Sequence, residues 1–277
     1  MRILDGKGLA TKLRGELKEK IKCFPKEIGL AVVIVGDDPA SEIYVRNKIR
    51  ACEEVGIRSF SYRLAADCGQ AALENLLEEL AENSAVHGVL LQLPLPKGFD
   101  EQAALAKIPV HKDVDGFQAE NLGRILTKEK GYVPCTPFGV MKLLEETGVE
   151  LRGKRAVVIG RSNTVGKPLA LLLLNADATV TVCHSKTENL QSICKEADIL
   201  VAAVGKAKLV TEEMVKDGAI VIDVGINRDG NGKLCGDVDF ENVKEKASWI
   251  TPVPGGVGPM TITMLLWNTY QAALLEM

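Results

Sequence analysis

The stretch AVVIGRSNTVGKPLALLLL, Ala156 to Leu174, decides how the rest of the chain is read. A strand-type run of four apolar residues enters a loop bounded by Gly160 and Gly166, and an apolar helical run follows Pro168. Such a junction aims backbone N–H groups and a helix N-terminus at an anion, as dinucleotide-binding sheets do with a pyrophosphate. The glycine pattern is incomplete. Ser162 stands where GxGxxG has its second glycine, so a plain structural βα turn is the competing explanation.

Apolar strand patterns surround this junction at 155–160, 178–184, 197–205 and 218–225, each separated from the next by helix-compatible sequence. The earlier part of the chain alternates in the same way. A helix over 6–23 precedes strands at 29–36, 57–64 and 86–96, with helices at 41–57 and 70–83 between them. Strands alternating with helices of a dozen residues predict βαβ units and mostly parallel sheets covered on both faces. At 277 residues the chain exceeds the roughly 250 at which single cores divide. The expected fold class is therefore α/β with two αβ lobes, the second a Rossmann-like parallel-sheet domain.

The stretch 107–137, with proline, glycine and mixed charge, reads as a connection between lobes. Thr136 followed by Pro137 reads as an N-cap and first helical residue, opening a helix through about Glu146. A last apolar helix is expected after Pro259 and needs a partner to cover it, so it is predicted to return to the first lobe, giving two connections between lobes. The expected division is 1–118 with 256–277 as the first lobe and 119–255 as the second.

The formal charge of −3, with acids and bases interspersed, argues against nucleic acid as a partner. Apolar runs such as Leu169 to Leu174 are far short of the roughly 20 residues that cross a bilayer, so no membrane association is expected. The N-terminal acids and lysines do not read as a signal peptide, and seven cysteines without a CxxC pair fit a reducing cytoplasm. Three scattered histidines with no HExxH offer no metal site, and no metal is expected.

At the second strand end of the later lobe stands HSKT, His184 to Thr187, with no acid before Glu188 to hold a free ribose 2′-hydroxyl. Arg161, Ser185 and Lys186 instead offer a cation and donors for a 2′-phosphate, which favours NADP over NAD. A solvated loop arginine is the simpler account of Arg161.

In the first lobe, SEIYVRNKIRACEEVGI (Ser41 to Ile57) contains one lysine without an acidic neighbour at helix spacing. Arg46 has Glu42, and Arg50 has Glu53 and Glu54, whereas Lys48 faces Tyr44, Val45, Ala51 and Cys52. A desolvated lysine loses proton affinity and can act as a base near neutral pH, although most isolated lysines are snorkelling surface residues. Gln92, at the carboxyl end of a strand, can both donate and accept, or can simply mark the strand end. Asp115, in KDVDGF, is either half of an Asp-Gly turn or a carboxylate for an amino-substituted heterocycle.

Together with PCTPFGV, VCHSKT, VIDVGIN, GDVDF and TPVPGGVGPMT, these stretches resemble the bifunctional methylenetetrahydrofolate dehydrogenase/cyclohydrolase family nearly end to end. The resemblance implies NADP-dependent oxidation of a tetrahydrofolate one-carbon derivative, hydrolysis of the product, and a homodimer formed through the second lobe. It implies Lys48 as the catalytic lysine, Tyr44 orienting it, Gln92 tuning it and Asp115 holding the pterin ring. It also implies substrate contacts at Ser41, Leu91, Leu93 and the segment Pro254, Gly255, Gly256, Val257, Gly258, Pro259, Met260 and Thr261, otherwise read as a flexible crossover. Cofactor contacts are implied at Gly160, Arg161, Ser162, Ser185 and Ile226.

Overall fold

The run Gly29–Val35 has no polar side chain, and all seven of its residues are buried, as a central parallel strand requires. Around it and around Arg155–Ile159 the chain builds two separate parallel sheets. The computed structural model describes residues 1–276, with residues 39 and 40 by backbone only.

In chain order the elements are β1 (Arg2–Ile3), α1 (Gly6–Lys22), β2 (Gly29–Val35), α2 (Pro39–Val55), β3 (Arg58–Leu64), α3 (Gln70–Glu82) and β4 (Gly88–Leu91). After α4 (Glu101–Leu105) and a 3-10 turn at Val110–Lys112 come α5 (Ala119–Thr127) and α6 (Cys135–Glu146). Then follow β5 (Arg155–Ile159), α7 (Gly166–Asn175), β6 (Thr179–Cys183), α8 (Leu190–Cys194), β7 (Ile199–Ala202), a 3-10 turn at Glu212–Met214 and β8 (Ile220–Asp223). The hairpin β9 (Asn227–Arg228) and β10 (Leu234–Cys235), α9 (Phe240–Val243), β11 (Trp249–Ile250) and α10 (Val257–Leu275) complete the chain.

A three-stranded unit takes Thr11–Arg124, Lys130–Cys135 and the described residues from Ile262 onward. Its strands lie in the order β3-β2-β4, all parallel. Helix α2 starts two residues earlier than its apolar pattern, because Asp38 accepts from the Ser41 N–H (2.8 Å) as N-cap. Gly56, in the left-handed conformation at φ 91°, ends it. The acids expected to serve Arg46 and Arg50 go elsewhere: Glu42 pairs with Arg63 on β3 (2.6 Å) and Glu54 with Arg14 on α1 (3.0 Å). Tertiary partners override the weak local pairing along the helix.

From Ile262 onward α10 belongs to this unit, where it buries Met264, Leu265 and Leu266. Arg14 of α1 donates to the Thr263 hydroxyl (3.2 Å), and Tyr270 meets Phe24 edge-on at 5.9 Å. The last helix thus returns to the first lobe as expected. It begins at Val257 rather than after Pro259, which places the proline in the first turn, where no N–H is needed.

A six-stranded unit takes Met1–Ala10, Ile125–Glu129 and Thr136–Thr261. Its sheet runs β1-β11-β8-β7-β5-β6, all parallel, and the strand order reverses between β5 and β7. Residues 1–10 therefore lie with this sheet, because Arg2 and Ile3 pair with Trp249 and Ile250. The boundaries fall inside α1, α5, α6 and α10 and in the loop between α5 and α6, so among the described residues the chain passes between these units five times. Thr136 is not an N-cap: α6 starts at Cys135, and the Thr136 hydroxyl lies 2.9 Å from that of Thr261.

Candidate functional site

In the three-stranded unit the carboxyl ends of β2 and β4 are neighbours, the place where open α/β sheets present ligand-binding groups. The Gln92 N–H donates to Val33 O (2.8 Å), extending the ladder one residue past β4. Its side-chain amide donates to Leu93 O (2.7 Å), leaving Oε1 to accept from Lys48 Nζ at 3.0 Å. Because the Leu93 carbonyl can only accept, this second contact dictates the amide orientation and turns the oxygen toward the lysine. Lys48, which looked partnerless along its own helix, has a partner 44 residues away.

Lys48 is 9% exposed, and burial lowers its pKa. The opposing attraction of Asp115 is the smaller effect. Burial likewise raises the pKa of Asp115, against the pull of Lys48 and a hydrogen bond with the Cys135 thiol. Both groups are pushed toward neutrality by burial, while each favours the other's charge. Tyr44, one turn before Lys48, is half-buried and its phenol pKa is raised by burial. Ser41 and Leu91 are buried and Leu93 is half-buried.

Asp113, Asn121 and Asn268 support this group and escape a local reading. Asp113 accepts from the N–H groups of Phe117 (3.1 Å) and Gln118 (2.8 Å) and from Asn121 Nδ2 (2.8 Å), folding the loop that carries Asp115. Burial pushes its pKa up to about 6. Gly116 takes φ 75°, so the Asp-Gly turn reading also holds. Buried Asn268, on α10, donates to Val114 O (2.8 Å) and Val133 O (3.0 Å), holding the chain just before Asp115 and just before Cys135. The sole sequence signal for it was a polar residue in an apolar helix. Asn268→Ala is expected to leave both carbonyls without this donor and to cost about 2 kcal/mol, read as a lower urea midpoint at unchanged slope.

In the six-stranded unit Gly160 ends β5 with φ 129°, and a Cβ there would lie 2.2 Å from Ala203 O. A Cβ on Gly166 would lie 2.2 Å from Gly160 O, so helix and strand end approach as a dinucleotide turn requires. Ser162, at the missing glycine, uses its hydroxyl to cap α7, accepting from Val165 N (3.2 Å) and Gly166 N (3.3 Å). Among the described residues, the N–H groups of Arg161, Ser162, Asn163 and Thr164 donate to no protein acceptor, which suits an anion at this turn. Ile159 pairs with Cys183, so Arg161 and Ser185 each stand two residues beyond a matched pair on adjacent strands. Both are exposed, as is Ile226 after β8. The residues present therefore fit a dinucleotide carrying a 2′-phosphate.

The segment from Pro254 is a loop only through Gly256; Val257 to Thr261 are the first turns of α10. Val257 and Met260 are buried, and Thr261 is engaged by Thr136, so the exposed Pro254 and half-buried Gly255, Gly258 and Pro259 remain as its accessible part. This segment groups with the six-stranded unit, and Lys48, Gln92 and Asp115 with the three-stranded one. Among the described residues, no three His, Cys, Asp or Glu side chains converge as metal ligands would, and no helix is long and apolar enough to cross a membrane.

A parallel sheet reversing its strand order beside a glycine turn defines a dinucleotide-binding class of α/β protein. Residues 4–115 match the catalytic domain, and residues 134–277 the NAD(P)-binding domain, of tetrahydrofolate dehydrogenase/cyclohydrolase. The bifunctional protein FolD of Moorella thermoacetica is 56% identical over 274 residues, covering 98% of each chain. The crystal structure of the bifunctional FolD enzyme from Campylobacter jejuni superposes with a TM-score of 0.98 at 50% identity, covering 100% of both chains. That of the Trypanosoma brucei dehydrogenase-cyclohydrolase, complexed with NADP cofactor and inhibitor, has a TM-score of 0.94 at 42% identity over 98% of this chain and 97% of its own. The chain belongs to the tetrahydrofolate dehydrogenase/cyclohydrolase family.

Proposed function

We propose that this protein oxidises 5,10-methylenetetrahydrofolate to the 5,10-methenyl cation with NADP, and then hydrolyses that cation to 10-formyltetrahydrofolate. The observation that carries the proposal is the buried Lys48 amine held at 3.0 Å on Gln92 Oε1, with its proton affinity lowered by burial. The three-stranded unit is the folate and catalytic part, and the six-stranded unit is the cofactor part.

When bound, NADP accepts the hydride. The carbon that loses it lies between two nitrogens whose lone pairs stabilise the cation, so the chain need only position the substrate in the first step. Asp115 is the proposed hydrogen-bond acceptor for the pterin, and Pro254, Gly255, Gly258 and Pro259 are proposed folate contacts. In the second step water attacks the methenyl carbon and a proton must reach the departing ring nitrogen. Lys48 with a lowered pKa takes one proton from water and passes it to the departing nitrogen as its bond to carbon breaks, the second proton leaving to solvent as the formyl C=O forms, while Gln92 fixes the amine and Tyr44 flanks it. A neutral amine also spares the cation a repulsion of about 1 kcal/mol at 4 Å in water, and more at lower dielectric.

Arg161 and Ser185 are the proposed 2′-phosphate contacts. Spectrophotometric assay at ~340 nm with methylenetetrahydrofolate should give faster turnover with NADP than with NAD. Arg161→Ala should raise the KM for NADP about tenfold and leave that for NAD nearly unchanged, as expected for one lost charge-assisted bond. Equal effects on both cofactors would remove Arg161 from the 2′-phosphate site.

The protein acts in one-carbon metabolism in the cytoplasm, a compartment with which seven free cysteines are compatible. It forms a homodimer through the six-stranded unit. Strand β6 is one of the two edges of that sheet, with Val182 on it and nearby Leu174 exposed.

A further inference from the structure

The loops after β7 and β8 leave the same sheet edge as Gly160, and a single buried carboxylate ties them together. Asp237, 0% exposed, accepts from three successive backbone N–H groups: Val204 (2.7 Å), Gly205 (3.0 Å) and Lys206 (2.8 Å). Its Oδ1 also accepts from Asn227 Nδ2 (2.9 Å), the residue after Ile226. Three consecutive N–H groups converging on one anion form a nest, which on a nucleotide-binding edge more often receives a phosphate. Here the protein fills the nest with its own carboxylate.

The surroundings are shaped around that carboxylate. A Cβ on Gly225 would lie 2.2 Å from Asp237 Oδ1, so the β8 loop can pass only as glycine. Asp237 is held in turn by Asp223, whose Oδ1 accepts from Asp237 N (2.9 Å) and Gly225 N (2.9 Å), and whose Oδ2 accepts from Val238 N (2.9 Å). Ala203, one residue before the nest, donates its N–H to Ile159 O (2.8 Å) and bears the carbonyl against which Gly160 closes.

We propose that Asp237 is a positioning residue for the nucleotide site, locking the β7 and β8 loops into the one arrangement against which the Gly160 turn and Ile226 are aligned. It acts through the backbone and touches neither reacting carbon. This inference rests on the proposed NADP site but not on the folate chemistry.

The test is Asp237→Asn in the full-length protein, which keeps one acceptor oxygen but sets an amide N–H₂ against N–H donors. Titration calorimetry with NADP should give a Kd raised about tenfold or more, the effect of losing charge-assisted bonds to the backbone. The KM for NADP should rise with it while the dehydrogenase kcat changes less, and methenyl hydrolysis without NADP should stay within about twofold of wild type. Amide exchange at 204–206 should quicken. An unchanged Kd alongside faster exchange would overturn the proposal, as would parallel loss of both activities. Should Asp237→Asn not fold, Asn227→Ala removes only the tie to the β8 loop and should raise the Kd about threefold; no change there also overturns it. A wild-type protein that binds NADP but turns over no folate would sink the proposed reaction and leave this inference standing.

Discussion

Lys48→Met is expected to lower methenyl hydrolysis by roughly a hundred- to ten-thousand-fold, the range supplied by one general acid–base group. Lys48→Arg should fare no better, because a guanidinium stays protonated and cannot take a proton from water. The pH profile of the wild type carries the sign. Burial holds the Lys48 pKa below the ordinary lysine range near 10.4. The neutral amine is the active form, so hydrolysis should rise with pH through that lowered value and level off before the ordinary range is reached. Losing the amine also removes the larger of the two effects that oppose burial at Asp115, whose pKa then moves further up. Stopped-flow loss of methenyl absorbance at several pH values, with hydride transfer followed separately, reads all of this. Hydrolysis that stays near wild type in Lys48→Met, or that falls as pH rises, would end the assignment.

Gly160→Ala should show the converse selectivity. The substitution forces a side chain onto a residue at φ 129° and drives its Cβ to 2.2 Å from Ala203 O, a backbone atom that cannot swing aside. Relief requires β5 and β7 to part where the strand order reverses. The expected outcome is about a hundredfold loss in NADP affinity, from strain of a few kcal/mol, with methenyl hydrolysis within about threefold of wild type. Calorimetry with NADP and a cofactor-free hydrolysis assay separate the two. If both activities fall together, the turn supports the whole protein rather than the cofactor.

The contrast between these variants follows from how information is distributed along the chain. Element type was legible because its causes are local. The all-apolar run at Gly29–Val35 could only be a covered parallel strand, and the run Ala156–Leu174 kept its strand, glycine turn and helix in place. The parallel α/β class and the returning last helix were likewise readable, since an apolar helix must find cover. The two-residue strands β1 and β11 were not, because two residues display no period, yet β1 carries residues 1–10 into the six-stranded sheet.

By itself the sequence determined the longer strands and helices, the glycines that only a close approach explains, and the oddity of a lysine without a helical neighbour to pair with. Only the tertiary structure decided that Lys48 meets Gln92, that Glu42 and Glu54 serve Arg63 and Arg14, and that Asp237 gathers Val204, Gly205 and Lys206. The reason is physical. Each of these partners is brought into range by helices and loops packing on parallel strands joined through long crossovers, and that packing depends on the whole sheet rather than on any local run of residues.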